Sequence, residues 1–85
     1  MPRFFFHYCD GDKSAEDTEG VELTDEATSV LKAMLLAKEI VREAQMGGGP
    51  VPRNAAFSVT DEQNRQLYNF PFSLVVDRPA RTRKR

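Results

Sequence analysis

The sequence predicts an α+β fold in the order ββαββ: a small, antiparallel-rich, four-stranded sheet with one long helix packed on one face. Three observations carry this expectation. Arg3–Cys9 is rich in aromatic residues and runs into the turn sequence Asp10-Gly11-Asp12. Residues 25–46 repeat apolar side chains at helical spacing, and residues 55–70 read as two short strands around a polar turn at Asp61–Asn64.

The first strand, over Arg3–Cys9, places Phe4, Phe6 and Tyr8 on one side and Phe5, His7 and Cys9 on the other, because side chains alternate along a strand. A strand apolar on both sides belongs in the middle of a sheet. Its return partner, over Lys13–Asp17, is short and polar, which suits an edge. Thr24 or Asp25 caps the helix, with Asp25 and Glu26 at the positive end of its dipole, and Gly47 stops it after Met46. Ala27, Val30, Leu31, Met34, Ala37, Val41 and Ala44 form its expected buried stripe. Gly47–Asn54, with three glycines and two prolines, is a loop. Ala55–Thr60 and Arg65–Phe70 make the second hairpin, and Pro71, which lacks an N–H, ends the last strand or marks it as an edge. Phe72, Leu74, Val75 and Val76 are then available to tuck against the body.

At 85 residues, 40% apolar and 29% charged, the chain has the composition of a single globular domain. The expected division is a domain over residues 1–77 and a disordered basic tail over 78–85. Arg78, Arg81, Arg83, Lys84 and Arg85 hold five of the twelve basic side chains, which leaves seven against thirteen acids, a net of −6, in residues 1–77. No apolar stretch approaches the roughly 20 residues needed to cross a bilayer. The first residues lack the apolar run and cleavage site of a secretory leader, so a cytoplasmic location is expected. Cys9 is the one cysteine, so no internal disulfide is available.

Four segments stand in a recurrent order: M-P-R-F-F-F-H at the start, D-T-E-G-V-E-L at Asp17–Leu23, V-T-D-E at Val59–Glu62 and P-F at Pro71–Phe72. Together they resemble a family of short, mostly alphaproteobacterial proteins known as a domain of unknown function, over residues 1 to about 74. Members of that family typically carry an aliphatic residue in place of Tyr8 and an Arg or similar polar residue in place of Cys9, and often lack the basic tail. The resemblance supports the boundaries of the fold and implies no reaction, ligand or cofactor.

The residues offer little chemistry. His7 and Cys9 share a strand face and have the composition of a nucleophilic dyad, but no orienting third group or oxyanion hole accompanies them. As zinc ligands they are half of the four a structural site needs, unless a dimer pools two pairs. The acids between Asp10 and Glu26 miss the calcium-loop pattern, since Ala15 stands where glycine is required and Val21 where the bidentate glutamate is required. Gly47-Gly48-Gly49 follows a helix and is not trailed by Lys-Ser or Lys-Thr, so it is not a phosphate cradle. The expectation is therefore a non-enzymatic protein-interaction or structural module without a cofactor. Its interface is expected on the open sheet face at Phe5, His7 and Cys9, strengthened by the Leu36 and Ile40 pair on the helix flank, with a homodimer or another protein as partner. The alternative is a nucleic-acid-associated protein using the phosphate attraction of Arg78, Arg81, Arg83, Lys84 and Arg85, a weak contact for an acidic body.

Overall fold

The computed structural model describes residues 1–76 of the chain. The sequence becomes a sheet through two local hairpins. Strand β1, Arg3–Asp10, turns through Gly11, which supplies a φ of 65°, into β2, Lys13–Ala15, with Asp10 opposite Lys13 and Tyr8 opposite Ala15. A second short strand, β3, Val21–Glu22, then rejoins the same edge of β1 opposite Phe4 and Arg3. The return strand expected over Lys13–Asp17 is thus interrupted, and the sheet has five strands rather than four. Glu16–Gly20 bulges past Phe5–His7, five residues facing three.

Helix α1 spans Glu26–Met46, 21 residues and roughly 31 Å long. Asp25 is its N-cap: the backbone there is extended, and its carboxylate accepts the Thr28 N–H at 2.8 Å and the Thr28 hydroxyl at 2.7 Å. At the far end the Gly47 N–H reaches Glu43 O at 2.9 Å, and Gly48, with φ 75°, supplies the left-handed residue that turns the chain away.

Strands β4, Ala56–Thr60, and β5, Gln66–Pro71, form the second hairpin. Asp61 organises its turn by accepting the N–H groups of Gln63 and Arg65, while Asn64 takes a φ of 64°. The sheet order is β2-β1-β4-β5, with β3 beside β1, so β1 is internal, as its two apolar faces require. Phe5 lies opposite Thr60, His7 opposite Ser58 and Cys9 opposite Ala56. Pro71 remains within β5, which it can because β5 is an edge.

The core lies between α1 and the sheet face that carries Phe4, Phe6, Phe57, Val59 and Phe70. Phe72, fully buried in the 3₁₀ turn Phe72–Leu74, closes its end, with ring centres 5.1 Å from Phe57 and 5.7 Å from Tyr8. Val75 and Val76 pack with it, whereas Leu74 is exposed.

The helix buries part of the expected stripe, Ala37 and Val41 fully and Met34 and Ala44 partly, but is turned from it in its N-terminal half. Its buried residues are Ser29, Ala33, Ala37 and Val41, spaced four apart, with Leu36 and Ile40 half-buried against the same core. Val30 and Leu31 turn outward, and so does Ala27. The sheet contributes so many phenylalanines that the helix must meet it with small residues to reach a close-packed distance. Ser29 is tolerated at zero exposure because its hydroxyl pairs with Tyr68 Oη at 2.7 Å and Glu26 O at 2.5 Å.

Candidate interaction surfaces

The face of the sheet away from α1 is built from the odd-numbered residues of β1. Phe5, His7 and Cys9 do lie there, as their alternation predicts, and all three are half-buried. Part of that cover comes from the Glu16–Gly20 bulge. Asp17 bends back so that its Oδ2 accepts the Phe6 N–H at 3.0 Å, while Oδ1 accepts the N–H groups of Glu19 and Gly20, each at 3.1 Å. Burial pushes the Asp17 carboxyl up, but these three N–H donors outweigh it and hold the group below its ordinary value. Gly20 lies directly on Phe5: a Cβ there would stand 2.8 Å from the Phe5 ring and 2.8 Å from Arg3 Cγ. Arg3 in turn reaches the Glu19 carbonyl at 2.9 Å and the Glu22 carboxylate at 3.1 Å.

His7 is tied at both ring nitrogens. The Asp17 N–H donates to Nδ1 at 3.1 Å, which leaves the ring proton on Nε2 to be donated to Thr60 Oγ1 at 3.0 Å. The ring stacks on Phe5 at a centroid distance of 6.4 Å and 7° between planes. With both nitrogens engaged, the imidazole has no lone pair left to take a proton from Cys9, so the dyad composition does not become a dyad. Two shallow depressions, of about 310 and 300 Å³, flank His7 and Glu16. Their walls mix Ser14, Ser58, Thr60 and Asn64 with the apolar side chains of Phe5, Cys9 and Ala15. The open face is therefore a ridge of three half-buried β1 side chains, flanked by hydroxyl and amide groups together with Ala15.

A third depression, of about 440 Å³, lies where Ile40 and Ala44 meet the Pro50–Asn54 loop. Tyr8 borders it, its hydroxyl donating to Asp10 Oδ2 at 3.3 Å. Burial, together with the Asp10 charge, pushes the Tyr8 phenol up.

Much of the bare apolar surface lies on α1, with Met1 and Leu74 exposed besides. Val30, Leu31 and Leu35 are 40%, 57% and 60% exposed, within two turns of one another. Leu36 and Ile40, expected on an interface, instead point toward the core. Leu35 is the residue the sequence reading missed; the unbroken apolar run Ala33–Ala37 was its signal, since no single helix face can hold five consecutive residues. The expected nucleic-acid contacts, Arg78, Arg81, Arg83, Lys84 and Arg85, lie outside the described residues.

A family model described as a domain of unknown function (DUF6894) matches residues 3–73 of the chain, nearly the whole of the described structure. Comparison with curated proteins and with solved structures finds no match.

Proposed function

The chain belongs to the family of the domain of unknown function DUF6894, and from that premise we propose that it acts as a non-enzymatic protein-interaction module. The observation that carries this reading is the outward apolar pair Leu31 and Leu35, one turn apart on α1 and left in water, with Val30 exposed beside Leu31, although the core is already closed by Ala33, Ala37 and Val41. Contiguous exposed apolar residues on a folded domain mark a surface that another molecule covers. The open sheet face supports the reading less well, because Phe5 is packed under Gly20, His7 is held on both sides, and the residues around them carry hydroxyl and amide groups.

The test is a photo-activated cross-linking side chain placed at Leu35 in the full chain, illuminated in the cells that make it. A discrete protein adduct, lost when Leu31→Lys is added, supports the module. Absence of any adduct from Leu35, with an equal or stronger one from a probe at Ser58 on the open sheet face, overturns the assignment of the surface.

A further inference from the structure

We propose that one proton on His7 releases the Glu16–Gly20 bulge from the sheet and uncovers Phe5, making the bulge a strap that acid opens. The strap connects β2 to β3 across Phe5–His7 and is held by two anchors that meet at Asp17. One is the Asp17 N–H, which donates to His7 Nδ1 at 3.1 Å. The other is the Asp17 carboxylate, which accepts the N–H groups of Phe6, Glu19 and Gly20. At the strap's far end Gly20 sits against the Phe5 ring.

The first anchor needs a neutral imidazole, because only an unprotonated ring nitrogen accepts. Nε2 already carries the ring proton toward Thr60 Oγ1, so Nδ1 is where a second proton adds. An N–H then faces an N–H, and the Asp17 amide has to turn away. The same proton acts on the second anchor. The Asp17 carboxylate lies close enough to feel the His7 charge, and it is drawn toward the imidazolium and away from the backbone groups it holds. Glu16 from the strap and Asp61 and Glu62 from the β4–β5 turn line the same depression, with Cys9 next along the strand face. Among the described residues no lysine or arginine lines it; Arg65 is paired with Asp61, and Arg3, near the strap's far end, with Glu22. The imidazolium therefore has carboxylates to pair with once the strap has moved. The backbone of His7 stays opposite Ser58 in the ladder with β4, so the release is local. Histidine is the side chain that ordinarily changes charge between about pH 5 and 8, which makes this strap responsive to mild acid.

The experiment is NMR on the full chain between about pH 8 and 5, a window above the ordinary carboxylate range. It follows the His7 Cε1–H resonance together with the exchange of the Asp17 and Phe6 amides, taken against their unstructured rates at each pH. Protection of both amides should fall about tenfold or more through the His7 titration. The Phe5 ring resonances should move with it, and Val59 in β4 should keep its protection. His7→Gln, uncharged throughout, should show no step in this window. Asp17 protection that persists after His7 has titrated overturns the proposal, and so does an equal step in His7→Gln. Loss of Val59 protection at the same pH overturns it too, since the whole domain then opens rather than the strap. If His7→Gln does not fold, the parent chain decides alone: coincident midpoints for His7 and the two amides support the strap, and separate midpoints overturn it.

Discussion

Replacing Asp17 with alanine tests the clasp that joins the Glu16–Gly20 bulge to β1. The carboxylate accepts three backbone N–H groups, of which those of Glu19 and Gly20 can turn to water when it is lost. The Phe6 N–H cannot do so readily: it points into the gap between β2 and β3, and the residue's side chain is anchored in the core at 6% exposure. A hydrogen bond to a charged acceptor contributes about 1.5–3 kcal/mol, and the buried donor left behind adds to the loss. The total for Asp17→Ala is therefore roughly 2–3 kcal/mol. For a domain of this size each kcal/mol lowers the melting temperature by about 4–8 °C, so a fall of roughly 10–20 °C is expected. The assay is thermal and urea unfolding, with amide exchange at Phe6 followed by NMR. Exchange at Phe6 should accelerate well beyond that at Val59 in β4. A loss below about 0.5 kcal/mol with Phe6 still protected would refute the argument that this side chain completes the ladder.

Three further outcomes follow from the same geometry. Phe72→Ala removes a fully buried ring that touches Tyr8 and Phe57, at a cost of about 3–5 kcal/mol, a large part of the total stability of a small domain; circular dichroism at 37 °C should show a partly unfolded population. Gly20→Ala forces an L-residue into φ 72° at a cost of about 1–2 kcal/mol and sets its Cβ against Phe5, so the urea midpoint should fall and the Phe5 ring resonances shift, while β4 and β5 keep their amide protection. Stability should decline at both pH extremes. Asp17, Asp25 and Asp61 are held below their ordinary values by the N–H groups they accept, so their contribution is complete above the unfolded carboxylate value near 4 and is lost as the pH falls through the lowered folded values. Burial pushes Tyr68 up, against the Ser29 hydrogen bond and with the Glu26 charge, so its contribution is complete below about pH 10 and is lost as the pH rises through the raised folded value. Urea midpoints across pH should show both limbs, and Tyr68→Phe should flatten the alkaline one.

Much of the architecture is legible in local patterns. Alternation along Arg3–Cys9 identifies β1 as an internal strand and assigns Phe4 and Phe6 to one face and Phe5, His7 and Cys9 to the other. Asp25 and the glycines after Met46 delimit α1, and Pro71 marks β5 as an edge. What escaped depends on partners distant in the chain. Nothing near Asp17 announces that its carboxylate will fill a gap in a strand eleven residues earlier, and without that contact Val21–Glu22 has no reason to be separated from Lys13–Ala15. The rotation of α1 is similar. Its N-terminal half is apolar around more than one face, so periodicity alone leaves the inward direction open until the volume of the facing phenylalanines selects Ser29, Ala33 and Ala37 over Leu31 and Leu35. The candidate surface moved with it, from β1 to the helix.

The ladder between β1 and β4 has a kinetic meaning as well. Phe5–Cys9 pairs with Ala56–Thr60 across about fifty intervening residues, whereas the two hairpins and the helix close only local loops. Chain-closure entropy therefore sets the order of events: each half acquires its turn early, and the joining of the central strands is the slow, cooperative step. The glycine- and proline-rich stretch after Met46 lies between those halves and contributes no strand to the sheet. Severing the backbone there divides the domain into two pieces that each retain a hairpin, held together by one five-residue ladder, the aromatic core beneath it, the packing of α1 on β5 and the 3₁₀ turn, and the Ser29–Tyr68 and His7–Thr60 hydrogen bonds.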